Sequence, residues 1–242
     1  MKAIGEENEK DLLCIMEHLL QEQVPLVVSR VVWLHMAKEI TACTGSWCES
    51  VVQGGVDRLK PRVVSFEEVD AILREYLAAR LMEVGDWISA AQALSGINIE
   101  SGSRQYEDPV KAEKYVKIAE LYLQEDDTVQ AENFINRAAR VIHTVTEWAL
   151  QLRYKVSYAR ILDAKRKFLD ASVRYYELSK SNPEEVDAED LAELLKKSVT
   201  CALLASAGPQ RSRVLGTLYK VRLFCLNICF FTRYNSFFLV LG

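Results

Sequence analysis

The sequence predicts an all-α protein, an α-solenoid of TPR-like or HEAT-like helical hairpins, on three observations. Glycine and proline number only ten and five in 242 residues, while alanine, leucine, glutamate, lysine, arginine and glutamine are abundant, a helix-forming composition. Apolar residues recur three and four apart, as in Ile72, Leu73, Tyr76, Leu77 and Leu81, and no stretch alternates apolar with polar residues as a half-buried strand does. The third observation is an internal period of about forty residues. Half of the chain is hydrophobic, enough to bury a sizeable core.

The period is read from "AARLMEVGDWISAAQAL" starting at Ala78, "AELYLQEDDTVQAENFI" starting at Ala119 and "YARILDAKRKFLDASVRYY" starting at Tyr158. Ala79, Ala119 and Ala159 share one position, Leu81, Leu121 and Ile161 a second, and Ala91, Ala131 and Ala171 a third. Each unit is helix, short polar turn, helix, with small alanines on both sides of the turn so that two antiparallel helices can approach closely. One hairpin cannot bury its apolar face alone, so several stack, each against its neighbours.

The elements follow in order. Residues 6–58 hold two or three helices in which the period is not legible. Pro61 breaks the chain, and Ser65 with Glu68 has the spacing of a capping box that starts the next helix. Gly85-Asp86, Asp126-Asp127 and Lys165-Arg166-Lys167 are the hairpin turns. Asp108-Pro109 and Asn182-Pro183 place a capping side chain before a proline whose missing N–H is harmless in a first turn. The loop at Gly208-Pro209 opens a last helix at "GPQRSR". The helical-repeat domain is thus expected over residues 1–220, followed by an atypical apolar tail, residues 221–242.

The chain carries 30 basic and 34 acidic residues, which argues against a general nucleic-acid-binding surface. The N-terminus "MKAIGEENEKDLL" lacks the apolar core of a signal peptide, and Cys14, Cys43, Cys48, Cys201, Cys225 and Cys229 have no disulfide-scaffold spacing, so reduced thiols are expected. His18, His35 and His143 form no helical zinc motif, and phosphate-loop and nucleophile-elbow patterns are missing. Cys43 and Cys48, with His35 upstream, lack the second ligand pair that a structural zinc needs. No catalytic residue, cofactor or metal is therefore expected. The aromatic residues Trp33, Trp87, Trp148, Tyr115, Tyr122, Tyr154, Tyr158, Tyr175 and Tyr176 lie in helical stretches, and core packing is the expected role of most. Two basic clusters, Lys165, Arg166 and Lys167 at the third turn and Arg211 and Arg213 after Pro209, are solvated surface in the plain reading and contacts for an acidic partner in the sharper one.

"PRVVSFEEVDAILREYLA", "GDWISAAQALSGI", "YVKIAELYLQEDDTVQAENFINRA", "LRYKVSYARILDAKRKFLDASVRYYELS" and "CALLASAGPQRSRVLGTLYK" together resemble the subunit 4 family of the COP9 signalosome, a branch of the PCI-domain proteins. The resemblance runs from about Asp11 to Lys220, with a poorer match to the paralogous subunit of the proteasome regulatory lid. It implies an arm of helical repeats leading to a winged helix and an assembly helix, without catalytic activity of its own. Its implied role is to support cullin deneddylation, the removal of NEDD8, by helping to engage cullin-RING ubiquitin ligases. The implied partners are other signalosome subunits and cullin-RING components, and the implied location is cytoplasm and nucleus.

After Lys220 the resemblance stops at "VRLFCLNICFFTRYNSFFLVLG", in which 15 of 22 residues are apolar. The winged helix is therefore expected to be missing. Three readings stand for this tail. Its length suits a membrane helix and would make the chain a tethered helical-repeat adaptor, but Arg233 near its middle costs about 2.5–3.5 kcal/mol, which disfavours insertion. It could instead pack on the last repeat as a makeshift cap. The favoured reading is intron read-through, because Lys-Val-Arg is what an exon ending in AAG gives when translation enters a GT-type donor site.

Overall fold

The structure is a computed structural model that describes residues 6–43, 45, 47–100, 106–182 and 186–220. Those residues are all-α, with no strand among them, and they build an α-solenoid of helical hairpins. The chain divides into two compact units, Met1–Thr146 and Glu147–Gly242. Residues 221–242, with the whole of the apolar tail, lie outside the described residues, as do Pro183 and the two residues after it.

In the first unit α1 (Glu6–His18), α2 (Leu26–Ala42) and α3 (Trp47–Leu59) precede a short 3-10 helix, Lys60–Ser65. Three helices thus occupy the stretch where no period is legible. Met16, Trp33, Ile40, Val52, Leu59 and Leu73 meet in one core, with the Trp33 and Phe66 rings 6.3 Å apart and tilted by 59°. Ser29, buried in α2, donates its hydroxyl to the Leu19 carbonyl just past α1, which satisfies one of the carbonyls a helix end leaves open.

The hairpins follow as α4 (Glu67–Val84) with α5 (Trp87–Ser95), and α6 (Asp108–Gln124) with α7 (Thr128–Ala139). The expected capping box at Ser65 does not form. Phe66, buried at 2% exposure, is the residue that precedes α4, and the Ser65 carbonyl instead accepts from Arg30 Nε at 2.6 Å. Burial of the large ring decides where the helix begins, ahead of a hydroxyl cap worth about 1 kcal/mol. Asp108 is likewise inside α6, whose preceding residue is Glu107, and its carboxylate lies 3.8 Å from Lys111 Nζ.

The second unit contains α8 (Trp148–Ala164), α9 (Phe168–Leu178), α10 (Ala188–Leu204) and α11 (residues 209–220). Ala159, Leu162, Ala171, Tyr175, Leu178 and Cys201 form its core. Ser172 and Ser198 clasp α9 to α10: each hydroxyl donates to the other residue's carbonyl at 2.8 Å, and both side chains are fully buried. α10 starts at Ala188 with Asp187 before it, some residues after the expected start at Asn182.

One turn geometry closes all three hairpins. Gly85, Asp126 and Arg166 have φ of 86°, 57° and 58°, in the left-handed region. The next residue in each case, Asp86, Asp127 or Lys167, donates its N–H back to the carbonyl of Leu81, Tyr122 or Leu162 at 3.0, 3.0 and 2.9 Å. This is the six-residue closure that satisfies the last helical carbonyls. The match shows that the repeat is 41 residues long first and 40 second. The counterpart of Ala119 and Ala159 is therefore Ala78, fully buried, and not Ala79, which is exposed. Ala131 and Ala171 correspond to Ala90, although Ala91 is buried as well.

Candidate interaction surfaces

Among the described residues no three His, Cys, Asp or Glu side chains are grouped so as to hold a metal ion. Cys48 is buried and directs its thiol at the Cys43 carbonyl, 3.7 Å away, while His35 is exposed. Cys201 is buried against Asp163; burial first, and then the carboxylate, push its thiol up to about 12, so it carries no thiolate at neutral pH. Asp70 is buried on α4 with its Oδ2 accepting from Arg74 Nε at 2.7 Å and its Oδ1 without a partner. Burial raises its carboxyl above the ordinary value despite the opposing pull of Arg74. Arg74 Nη1 also reaches toward the Ala93 carbonyl, at 3.5 Å, and ties α4 to the end of α5. Sequence reading missed this pair, although its signal is plain: an acid and a base four apart, with the acid on the apolar stripe beside Val69 and Leu73.

The basic residues singled out in the sequence are divided by the structure. Lys165, Arg166 and Lys167 form the turn between α8 and α9 and all three are exposed. In the two preceding hairpins the cap position holds Asp86 and Asp127, whose carboxylates accept from Ser89 and Gln130 N–H at 3.1 Å. Lys167 holds it in the third and has no acceptor to offer, so a cationic turn replaces two acidic ones. Arg211 lies across the end of α10, donating from Nε to the Ala202 carbonyl at 3.1 Å and from Nη2 to the Leu203 carbonyl at 3.0 Å. Arg213 is exposed on α11.

A groove runs between α8 and α9, with a volume of about 320 Å³. Trp148, Tyr154, Tyr158 and Lys155 line it from α8, Arg174 and Glu177 from α9. The Tyr154 and Tyr158 rings stack 6.5 Å apart and 9° from parallel, and burial raises the Tyr154 hydroxyl above its ordinary value. The core expectation holds for Trp33, Tyr115, Tyr122 and Tyr175, which are buried, but Trp87 and Tyr176, and at the groove Trp148, Tyr154 and Tyr158, are only half-buried. Helical spacing places a residue on a stripe without saying whether a further element covers that stripe, so these could not be told from core.

The hairpin α6/α7 has the same face covered. Ile97 and Ile99, in the segment that follows α5, are buried there, and Glu100 Oε1 accepts from the Tyr115 hydroxyl at 3.1 Å with Arg140 Nη2 3.7 Å away. Tyr115 is pushed up to about 12, by burial first and then by its bond to Glu100.

Stacked hairpins, exposed turns and a lined groove define a helical-repeat protein of the solenoid class. Within that class, the chain belongs to the family described as PSMD12/CSN4, N-terminal, which it matches over residues 12–187. It is similar to COP9 signalosome complex subunit 4 of Arabidopsis thaliana, 46% identical over 209 residues that cover 84% of this chain and 53% of that protein. The subunits of the same name in Drosophila melanogaster and Dictyostelium discoideum are 41% and 39% identical, over 89% and 84% of this chain and 53% and 51% of theirs. The chain therefore spans about half the length of the curated relatives it matches.

Proposed function

We propose that this chain is a non-catalytic scaffold segment of the COP9 signalosome subunit 4 type, which supports cullin deneddylation by helping to engage cullin-RING ubiquitin ligases. The observation that carries the proposal is identity of 39 to 46% to proteins of that name over 84 to 89% of this chain. The arrangement of particular side chains supports it: Asp86 and Asp127 cap helices, Arg74 and Arg211 bridge neighbouring elements, and Cys201 is buried, as befits a protein that works through its surface. In this reading the helical-repeat domain, residues 1–220, carries the contacts. Lys165, Arg166, Lys167 and Arg213 offer exposed basic side chains to an acidic partner, while Arg211 offers less because α10 takes two of its donors. Cytoplasm and nucleus are the compartments in which it acts.

Affinity purification of the tagged chain from its own cells tests this. Recovery of signalosome subunits and cullin-RING components is expected. Recovery of proteasome-lid subunits in their place would move the chain to the paralogous branch, which the joint PSMD12/CSN4 description of the family also spans. Recovery of neither would defeat both readings.

A further inference from the structure

We propose that Cys43 and Cys48 form a redox modification site, a dithiol that hydrogen peroxide converts to a disulfide across the corner between α2 and α3 and that a thiol reductant reopens. The two residues stand at the end of one helix and the start of the next. Cys43 follows the last residue of α2 and turns the backbone out of the helix, with φ of −85° and ψ of 147°, and Cys48 is the second residue of α3. The Cys48 thiol is aimed at the Cys43 carbonyl, 3.7 Å away, and the Tyr76 hydroxyl on α4 reaches the same oxygen at 3.5 Å. The corner is tight: the Cys48 N–H returns to the Gly45 carbonyl at 3.0 Å, and a Cβ at Gly45 would collide with the Trp47 indole. A thiol already in contact with the other cysteine's main chain is close to the Cα spacing of about 4.4–6.8 Å that a disulfide requires.

Access assigns the two roles. Cys43 is half-buried and within reach of a small oxidant, whereas Cys48 is fully buried. Peroxide therefore meets Cys43 first. The Cys43 sulfur attacks one peroxide oxygen, the O–O bond breaks, the sulfur is oxidised to a sulfenic acid, and the other oxygen leaves as water with the thiol proton. The Cys48 sulfur then attacks the Cys43 sulfur: the S–S bond forms, the S–O bond breaks, and hydroxide leaves as water with the Cys48 proton. In sum, two thiols and one peroxide give one disulfide and two waters. The bond falls where packing leaves a joint, because α2 rests chiefly on α4 and α1 on α3, while α2 and α3 touch little directly. A covalent tie restrains that joint and takes the Cys48 thiol off the Cys43 carbonyl.

The test treats the folded full chain with hydrogen peroxide, blocks the remaining thiols with N-ethylmaleimide and maps peptides by mass. Both cysteines fall in one tryptic peptide, residues 39–58, so the bond is read as the loss of two hydrogens together with both maleimide labels. That loss is expected, and dithiothreitol should restore both labels. Exposed Cys14 reports that peroxide was effective, and neither it nor Cys201 should be linked to the pair. Dimedone, which captures sulfenic acids, should label Cys43 in Cys48→Ala and leave it unlabelled in the native chain. In Cys43→Ser, Cys48 should keep its thiol through the same treatment. A peptide that keeps both labels while Cys14 is oxidised, or a native Cys43 captured by dimedone as fully as in Cys48→Ala, overturns the proposal. Because the mass readout needs no variant, a folding defect in either variant cannot decide the outcome.

Discussion

Replacing Arg74 by methionine should destabilise the first unit, and should do so in a pH-dependent way. The substitution keeps the bulk of the aliphatic stem and removes both the 2.7 Å bond to Asp70 and the reach to the Ala93 carbonyl. The Arg74 and Asp70 side chains are 15% and 2% exposed, so little water is at hand to take the arginine's place. Breaking a buried pair by removing one partner costs about 3–5 kcal/mol, and the slight exposure of the arginine points to the lower end. A loss of about 3 kcal/mol should lower Tm by roughly 6–12 °C for a unit of this size. Asp70 is already raised by burial, and losing the two lowering influences of Arg74 raises it further. Its folded pKa then lies well above the unfolded one, so the folded state binds the extra proton, and stability falls as pH rises through the folded pKa. The deficit should be fullest at about pH 8 and shrink as pH falls toward the ordinary carboxylate range. Adding Asp70→Asn to the variant should recover most of the loss at high pH and flatten its pH dependence. The assay is urea unfolding at several pH values, with the coupling taken from the double-mutant cycle. A deficit unchanged from pH 8 to about pH 4.5, with additive single mutants, would refute the reasoning.

Two further outcomes follow from local geometry. Lys167→Asp should supply the cap present at Asp86 and Asp127 and raise stability by about 0.5–1 kcal/mol, read from the urea midpoint; no gain would mean that the α9 start is satisfied in another way. N-ethylmaleimide at about pH 8 should modify exposed Cys14 in the native chain and spare Cys201 until the second unit unfolds, as mapped by peptide mass; equal labelling of both would contradict the burial that raises the Cys201 thiol.

The hairpins were legible because their alanines and turn residues report a local requirement. A close helix approach admits only small side chains, and a closing turn demands a residue that tolerates positive φ. The register was legible only to within one residue. Ala78 and Ala79 are adjacent and identical, and only packing separates the buried one from the exposed one. The start of α4 was misplaced because a hydroxyl with capping spacing stood beside a phenylalanine, and the core claimed the phenylalanine. The candidate surfaces were legible in part. Charge runs such as Lys165–Lys167 are visible in any sequence, but the α8/α9 groove depends on how far Trp148 and Tyr158 are buried, which helical spacing leaves open. The contact of Glu100 with Tyr115 and Arg140 joins residues 15 and 40 apart, and no local pattern announces it.

The serine clasp between α9 and α10 has a mechanical consequence. Two reciprocal bonds at a fully buried crossing fix α10 along its axis, because a slide of even one residue, about 1.5 Å, would strand both hydroxyls in a dry contact. Arg211 in turn grips the far end of α10 through two carbonyls. A pull applied to α11 is therefore handed to α10 and on to α9 without a slipping joint. Within the second unit these three helices behave as a train of locked gears, and load arriving at residues 209–220 is felt at the helix that walls the groove.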